Sequence, residues 1–208
     1  MVGCRPVDAL TPLPFTWPYA LVFWVVYIWA FLPEFGIVIR GARANRAAGG
    51  AQDGRSMQVI ILGMWVGLLA AFPLARIPRF VFAPEAARVA AFWGGTLLLV
   101  AGSLLRRHCF RMLGTYFTGN VQTVAGQSVI ERGAYGYVRH PSYTAGIMMF
   151  VGIGLALGSW LSTIITFVAS AGVYIYRVGV EERALAEALG EPYLDYMKQR
   201  KRFVPYLF

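Results

Sequence analysis

The sequence predicts an all-α integral membrane protein with about five transmembrane helices, a C-terminal helical hairpin and a cytosolic helical tail. Hydrophobic residues make up 58% of the 208-residue chain and charged residues 14%, whereas a soluble domain is about 45–50% apolar and about 25% charged. Apolar segments close to the length that crosses a bilayer, about 20 residues, recur along the chain. The formal net charge is +9. No nucleic-acid motif accompanies it, so we expect the bases to set the topology and contact anionic lipids, with no nucleic-acid partner.

Three apolar segments predict the first three helices. They cover about Tyr19–Ile39, Met57–Ala75 and Ala86–Leu105. Pro33 and Glu34 fall near the inner end of the first segment. Because a proline removes a helical hydrogen bond, we expect a kink or an early end of the helix there.

Two further apolar segments, Tyr143–Leu157 and Trp160–Tyr176, are separated by a Gly-Ser pair and predict a tight helical hairpin. The first of them is short for a full span. The sequence EERALAEALGEPYLDYMKQRKRF follows, with leucines at helical spacing and a stop signal at Gly190, and it predicts cytosolic helices against the membrane face. We therefore divide the chain into transmembrane helices 1–3 (residues 1–112) and a second region with helices 4 and 5 and the tail (residues 113–208).

The distribution of Lys and Arg predicts the orientation. With the N-terminus outside, the inner loops and the tail hold fifteen of these residues and the outer segments hold four. This bias favours an outer N-terminus, a cytosolic C-terminus and an odd number of spans. We expect a multi-pass protein of the bacterial inner membrane if the source is a prokaryote, or of the endoplasmic reticulum if it is a eukaryote.

Cysteine and aromatic residues suggest structural roles. Cys4 and Cys109 fall on opposite sides of the membrane in this topology, so we expect no disulfide, and Cys109 is better explained as a buried apolar thiol than as a nucleophile. Tyrosine and tryptophan near the ends of spans are typical of an interfacial belt. These aromatic residues are Trp17, Tyr19, Trp160, Tyr174 and Tyr176.

Polar residues flank the predicted hairpin on both sides. The stretch 113–146 joins two apolar regions and contains His140, and a second group follows where the fifth helix ends. Ionisable groups at membrane depth are costly and usually mark a site. Arg177 and Glu181 are four residues apart, so they share a helix face. From the residues alone, a purely structural explanation is equally open. In it, Arg177 and Glu181 form an ordinary ion pair at a helix end, and His140-Pro141 simply starts the fourth helix. The second group consists of Arg177, Glu181 and Glu182.

The segment GAYGYVRHPSY (133–143), followed about thirty-five residues later by paired glutamates and then by GEPYLDYMKQRKRFVP, resembles the isoprenylcysteine carboxyl methyltransferase family and its wider group of membrane methyltransferases. The resemblance covers roughly Leu113–Pro205, with the parts in the family's order and at its separation. The first three helices match only in being apolar. Two departures stand out: Ala145 where the family usually has Gly, and Arg200 where a Thr is frequent.

The resemblance implies S-adenosyl-L-methionine as cofactor, bound between the RHPSY segment and the paired glutamates. It implies methyl transfer to a lipophilic acceptor from the bilayer, such as the carboxylate of a prenylcysteine-like molecule or another lipid. Arg177 and Glu181 are the implied catalytic residues, with Arg177 at the substrate, and no metal is implied. The implied cofactor contacts are Gln122, Gln127, Ser128, Val129, Ile130, Tyr135, His140, Pro141, Ser142, Tyr143, Glu181 and Glu182.

These residue types suit that chemistry. Glu181 can accept hydrogen bonds from an ammonium or a ribose, and Arg177 can orient a carboxylate by charge-assisted contacts. A carboxylate acceptor needs no general base, whereas an amine would need one, with Glu181 or Glu182 as the candidate. Three alternatives remain open: a phospholipid amine N-methyltransferase, a NADPH-dependent sterol-reductase-like enzyme, and a non-enzymatic scaffold whose polar residues cap helices.

Overall fold

A computed structural model of the chain describes residues 11–47, 54–114 and 128–205. Within these ranges the regular structure is helical, with six α-helices and no β-strand, which confirms the predicted all-α fold. Three residues join α4 to α5 at the predicted hairpin, and Gly190 alone joins α5 to α6. The helices are α1 (Tyr19–Ala47), α2 (Gly54–Leu74), α3 (Glu85–Leu113), α4 (Pro141–Ala156), α5 (Trp160–Leu189) and α6 (Glu191–Gln199).

The helices are apolar enough for a membrane. Among the described residues, three stretches have the length and composition to cross one: Tyr19–Gly36 in α1, all of α3 and all of α5. The apolar part of α2 (Gln58–Leu74) and α4 are shorter. Large apolar side chains cover the outer surface, and contiguous exposed apolar surface of this kind indicates contact with lipid. The chain is therefore a multi-pass membrane protein.

Successive helices run in alternating directions. Phe82, just before α3, donates its backbone N–H to the Gly158 carbonyl just after α4, at 2.9 Å. At the other end of the bundle, Arg106 near the end of α3 donates to the carbonyl of Ser142 at the start of α4, at 2.6 Å. We call this second end, where α3 ends and α4 begins, the site end.

Small residues allow α3 and α4 to pack backbone against backbone. A Cβ atom added at Gly95 would lie 2.5 Å from the carbonyl oxygen of Gly152, and one at Gly102 would lie 2.8 Å from that of Ala145. Close approach through small residues is a common way for helices to associate in lipid, where van der Waals contact replaces the hydrophobic effect. The Ala145 departure therefore lies in a tightly packed interface, where its side chain is fully buried.

Three helices end later than the sequence predicts, among them α3, which continues past Leu105 to Leu113. Of the two outcomes expected at Pro33, a kink or an early end, the early end does not occur, because α1 continues to Ala47. Helix α5 runs without a break through the Glu-rich segment to Leu189. Alanine, leucine and glutamate all favour helix, and no helix breaker occurs before Gly190. Gly190 ends α5 at a φ of 62° and α6 follows, as predicted.

The other structural expectations have mixed outcomes. Cys109 is a buried free thiol, as expected, whereas Cys4 lies outside the described residues. Trp17 and Trp160 are exposed, in keeping with an interfacial belt. Tyr174 does not belong to such a belt, because it is 4% exposed and packs inside the bundle at the site end.

Candidate active site

The start of α4 is fixed by the C-terminal segment, which we define as residues 200–205. His140 occupies the position before the helix and Pro141 the first helical position, where proline's missing N–H costs nothing. Arg139 donates its backbone N–H to the Lys201 carbonyl at 2.8 Å, and His140 donates to the Arg202 carbonyl at 2.9 Å. The backbone at His140 is therefore held by contacts between residues 62 positions apart in the sequence.

Glu182 of α5 receives three cationic or polar partners. The His140 Nε2 atom lies 3.1 Å from its Oε1 atom, and Arg139 contacts the same oxygen at 3.0 Å. Arg202 binds the other oxygen through Nη2 at 2.8 Å and Nε at 3.1 Å. The carboxylate is buried and both of its oxygens have internal partners. Glu182 therefore ties the start of α4, α5 and the C-terminal segment together.

Glu181, the neighbouring carboxylate, contacts a different partner. The Tyr143 hydroxyl donates to its Oε2 atom at 2.5 Å. The Tyr143 ring stacks between two others, with centroids 5.6 Å from His140 and 4.8 Å from Tyr174. These three rings form an aromatic row, in which Glu182 binds the His140 end and Glu181 binds the middle ring, Tyr143. Glu181 is only partly buried, whereas Glu182 is buried.

Arg177 completes the cluster from within α5. It lies one turn before Glu181, its exposure is 3%, and it interacts with the Tyr143 hydroxyl. A guanidinium stays charged under all ordinary conditions, so a buried one presents a permanent positive charge to whatever binds beside it. The structure therefore brings a cation, a carboxylate and an aromatic row together at the site end of the bundle.

A partly buried ion pair that sequence reasoning missed supports this cluster. Arg106 of α3 binds both oxygens of Glu34 in α1, at 2.5 and 2.8 Å, and donates to the Ser142 carbonyl. Its guanidinium also lies over the Tyr174 ring, 5.9 Å from the centroid. Glu34 interrupts the first apolar segment and Arg106 directly follows the third, and charged groups at such depth usually pair with one another. That signal was visible in the sequence, but it did not indicate the partner.

Two tyrosines of α6 pack beneath the motif. Tyr196 donates to the Tyr135 carbonyl at 2.7 Å, and burial raises its pKa to about 12. Tyr193 is 4% exposed, and its hydroxyl has no hydrogen-bond partner among the described residues. Burial also raises the pKa of Tyr193, and Glu181 and Glu182 add to the shift, which places this hydroxyl near both carboxylates. The Tyr193 hydroxyl is therefore an unpaired hydrogen-bonding group near Glu181 and Glu182.

The predicted site residues divide into four groups. The cluster above contains His140, Pro141, Ser142, Tyr143, Arg177, Glu181 and Glu182. Tyr135 is buried next to it and is linked through Tyr196. Ser128 is exposed, Val129 and Ile130 are partly buried, and the contacts that hold the cluster together do not include them. Gln122 and Gln127 lie outside the described residues.

Known proteins have sequences similar to this region of the chain. A family model described as phospholipid methyltransferase matches residues 90–192, which include α3, the motif, the hairpin and both glutamates. Protein-S-isoprenylcysteine O-methyltransferases from Schizosaccharomyces pombe and Dictyostelium discoideum are 28% and 29% identical over 110 and 122 residues. Over this region the chain is similar to the isoprenylcysteine carboxyl methyltransferases. The predicted resemblance is thereby confirmed.

The extent of the match is about half of each chain. The alignment with the Schizosaccharomyces protein covers 46% of this chain and 47% of that protein. The alignment with the Dictyostelium protein covers 58% of this chain and 52% of that protein. The chain thus spans about half the length of these family members. The fold is also similar to a solved structure of a eukaryotic intramembrane Ras methyltransferase, isoprenylcysteine carboxyl methyltransferase. That match has a TM-score of 0.54 and 22% identity, and covers 72% of this chain and 52% of that one.

Proposed function

We propose that this chain is an S-adenosyl-L-methionine-dependent membrane methyltransferase that acts on the carboxylate of a lipophilic acceptor, either prenylcysteine-like or another lipid. The observation that carries the proposal is the convergence of Arg177, Glu181, His140 and Tyr143 where membrane helices end. In the proposed orientation this end faces the cytosol. The cofactor enters from water, and the acceptor enters from the bilayer.

The described residues fit a cofactor of this chemistry. S-adenosylmethionine carries an ammonium, a carboxylate, a ribose diol and a methylated sulfonium. Glu181 offers a partly buried carboxylate acceptor for the ammonium or the ribose, and the unmet hydroxyl of Tyr193 supplies a donor nearby. Electron-rich aromatic faces such as that of Tyr143 favour a neighbouring cation. When bound, the cofactor supplies a methyl group that a carboxylate oxygen can accept, leaving S-adenosylhomocysteine and a methyl ester.

The residues of this chain act by position and charge. Arg177 binds and orients the acceptor carboxylate through charge-assisted hydrogen bonds. Tyr143 holds Glu181 in place by its hydroxyl, and Glu182 holds His140. Because the acceptor is already ionised, no proton has to move before the transfer, and catalysis consists of alignment and the removal of water.

The buried charge favours a carboxylate acceptor over an amine. A guanidinium repels the ammonium form of a phospholipid amine, and Arg177 keeps its charge at all ordinary pH values. An amine acceptor also needs a base to remove its proton, and Glu182 is occupied on both oxygens by His140, Arg139 and Arg202. The phospholipid amine N-methyltransferase therefore ranks second, with Glu181 as its base.

Two measurements test the proposal. Purified full-length protein is titrated with S-adenosylhomocysteine and, separately, with NADPH; we expect binding of the first and not of the second. Binding of NADPH alone would establish the reductase alternative, and binding of neither would establish the scaffold. Protein that binds the first is then incubated with methyl-labelled S-adenosylmethionine and a lipid extract. Label that alkali releases as methanol identifies an ester, whereas alkali-stable label on an amine would contradict the carboxylate assignment.

A further inference from the structure

A basic recess lies beside the candidate active site, on the surface of the C-terminal segment. It has a volume of about 280 Å³. Sites for whole drug-sized ligands have volumes of about 300–1,000 Å³, so this recess suits a single small polar group. Its lining includes five basic side chains: Arg139, Lys198, Arg200, Lys201 and Arg202.

The recess has an excess of positive charge. Among the described residues, two carboxylates pair with three of its five cations: Glu182 with Arg139 and Arg202, and Asp195 with Lys198 at 2.9 Å. A net charge of +3 therefore remains in the recess at neutral pH. Like charges held together in this way destabilise the segment unless an anion binds among them.

Two guanidinium groups at the recess also have unmet hydrogen bonds. The Nε atoms of Arg139 and Arg200 are shielded from water and have no acceptor among the described residues. The side chain of Arg139 is 9% exposed, and its two terminal nitrogens already bind Met197 and Glu182. Arg200 reaches only the neighbouring Gln199 carbonyl, at 3.4 Å, which is a weak contact. Buried donors without acceptors are costly, and a phosphate provides acceptors for several of them at once.

The position of the recess favours phosphate from a lipid. The C-terminal segment is paired with residues 139 and 140, directly before the first turn of the membrane helix α4. The recess therefore lies at the depth of lipid headgroups. Leu194 and Val204, which flank it in sequence, are exposed at 37% and 42% and can contact acyl chains. We propose that the recess binds the phosphate of an anionic phospholipid and thereby holds the C-terminal segment against the start of α4.

A lipid-retention experiment tests this proposal independently of any methyl transfer. Full-length protein is extracted from phosphatidylcholine vesicles that contain phosphatidylglycerol, washed in detergent, and analysed by native mass spectrometry. We expect the wild type to retain one phosphatidylglycerol molecule. The variant Arg200→Gln/Lys201→Gln should retain it at least about tenfold less, the loss expected for one charge-assisted hydrogen bond. Its backbone contacts with residues 139 and 140 remain, and its melting temperature in phosphatidylcholine checks the fold.

The matched control is Arg111→Gln/Arg183→Gln, which removes the same charge from exposed positions at the site end but outside the recess. We expect this control to retain the lipid as the wild type does. Equal retention in both variants, or no retained lipid in the wild type, would overturn the proposal. Displacement of the lipid by millimolar inorganic phosphate would overturn the assignment to a lipid and indicate a soluble anion instead.

Discussion

At the scale of single residues, adjacent positions have different roles. The Glu182 carboxylate is bound by Arg139, His140 and Arg202. Glu181 accepts a hydrogen bond from Tyr143 and is partly exposed. Successive residues of a helix are separated by about 100°, so neighbours in sequence face different surroundings. The paired glutamates thus combine one carboxylate that holds the structure together with one that can contact a ligand.

Arg177→Ala should separate binding from turnover. We expect wild-type affinity for S-adenosylhomocysteine and a fall in methyl transfer of about 100-fold, because an acceptor without its orienting cation is misplaced. The measurement is initial rate beside a binding titration. Arg183→Ala, which removes an exposed cation six residues later on the same helix, is the control and should behave as wild type. A parallel loss of both properties would place Arg177 in the cofactor site.

His140→Ala and Glu181→Ala should each abolish detectable cofactor binding. Each loses a charged or polar contact in the cluster, which corresponds to a fall in affinity of about 10–100-fold or more. Isothermal titration with S-adenosylhomocysteine measures the effect, and normal expression excludes misfolding. His108→Ala and Glu187→Ala serve as matched controls outside the cluster. Wild-type affinity in both site variants would refute the assigned pocket.

At the scale of helices, packing through small residues aligns the site. α3 and α4 approach so closely at Gly95 and Gly152 that backbone atoms are in contact. This close packing fixes the position of α4 along α3. It also places the Ser142 carbonyl within hydrogen-bond distance of Arg106. Gly146 permits a second close contact, because a side chain there would overlap the Tyr174 ring. Helix packing and the aromatic row therefore depend on one another.

Gly95→Leu should disrupt the α3–α4 interface. The new side chain would meet the backbone of Gly152 and Ala156, and we expect a loss of about 3 kcal/mol, the upper end of the usual cost of overpacking. Thermal unfolding in detergent measures it. Gly94→Leu is a close control, because a Cβ atom at Gly94 would meet nothing within 4 Å. Equal melting temperatures for the two variants would contradict the packing.

At the scale of the whole molecule, the N-terminal helices contribute to the site. Glu34 in α1 lies far outside the matched residues 90–192, yet it binds Arg106, which contacts both Ser142 and the Tyr174 ring. The row then continues through Tyr143 to Glu181. Three helices and the motif are therefore connected by one continuous set of contacts, from α1 to Glu181.

Glu34→Gln should reduce methyl transfer although Glu34 belongs to α1. Removing one partner of this partly buried pair leaves the Arg106 charge uncompensated, which costs less than the roughly 3–5 kcal/mol typical of a fully buried pair. We expect a lower melting temperature and a slower initial rate, with the rate measured below the onset of unfolding. Glu85→Gln, at an exposed position in the first turn of α3, is the control. An unchanged rate would show that α1 does not support the site.

The membrane class, most helix positions and the motif could be predicted from the amino-acid sequence. Apolar length and stop signals are local properties, so the spans and the break at Gly190 were predictable, and the order of GAYGYVRHPSY and EE indicated the family. Pro33 was expected to kink or end the first helix, and it does not end it, because α1 continues to Ala47. A membrane helix tolerates a proline when neighbouring groups satisfy the freed backbone acceptors, and the sequence around Pro33 does not contain that information.

The side-chain contacts between helices could be established only from their three-dimensional arrangement. It placed Tyr174 in the aromatic row rather than in an interfacial belt, paired Glu34 with Arg106, and surrounded Glu182 with Arg139, His140 and Arg202. These contacts join residues 20 to 72 positions apart in sequence. Such pairs depend on how helices are aligned in three dimensions, and hydropathy and spacing along one chain contain no measure of that alignment.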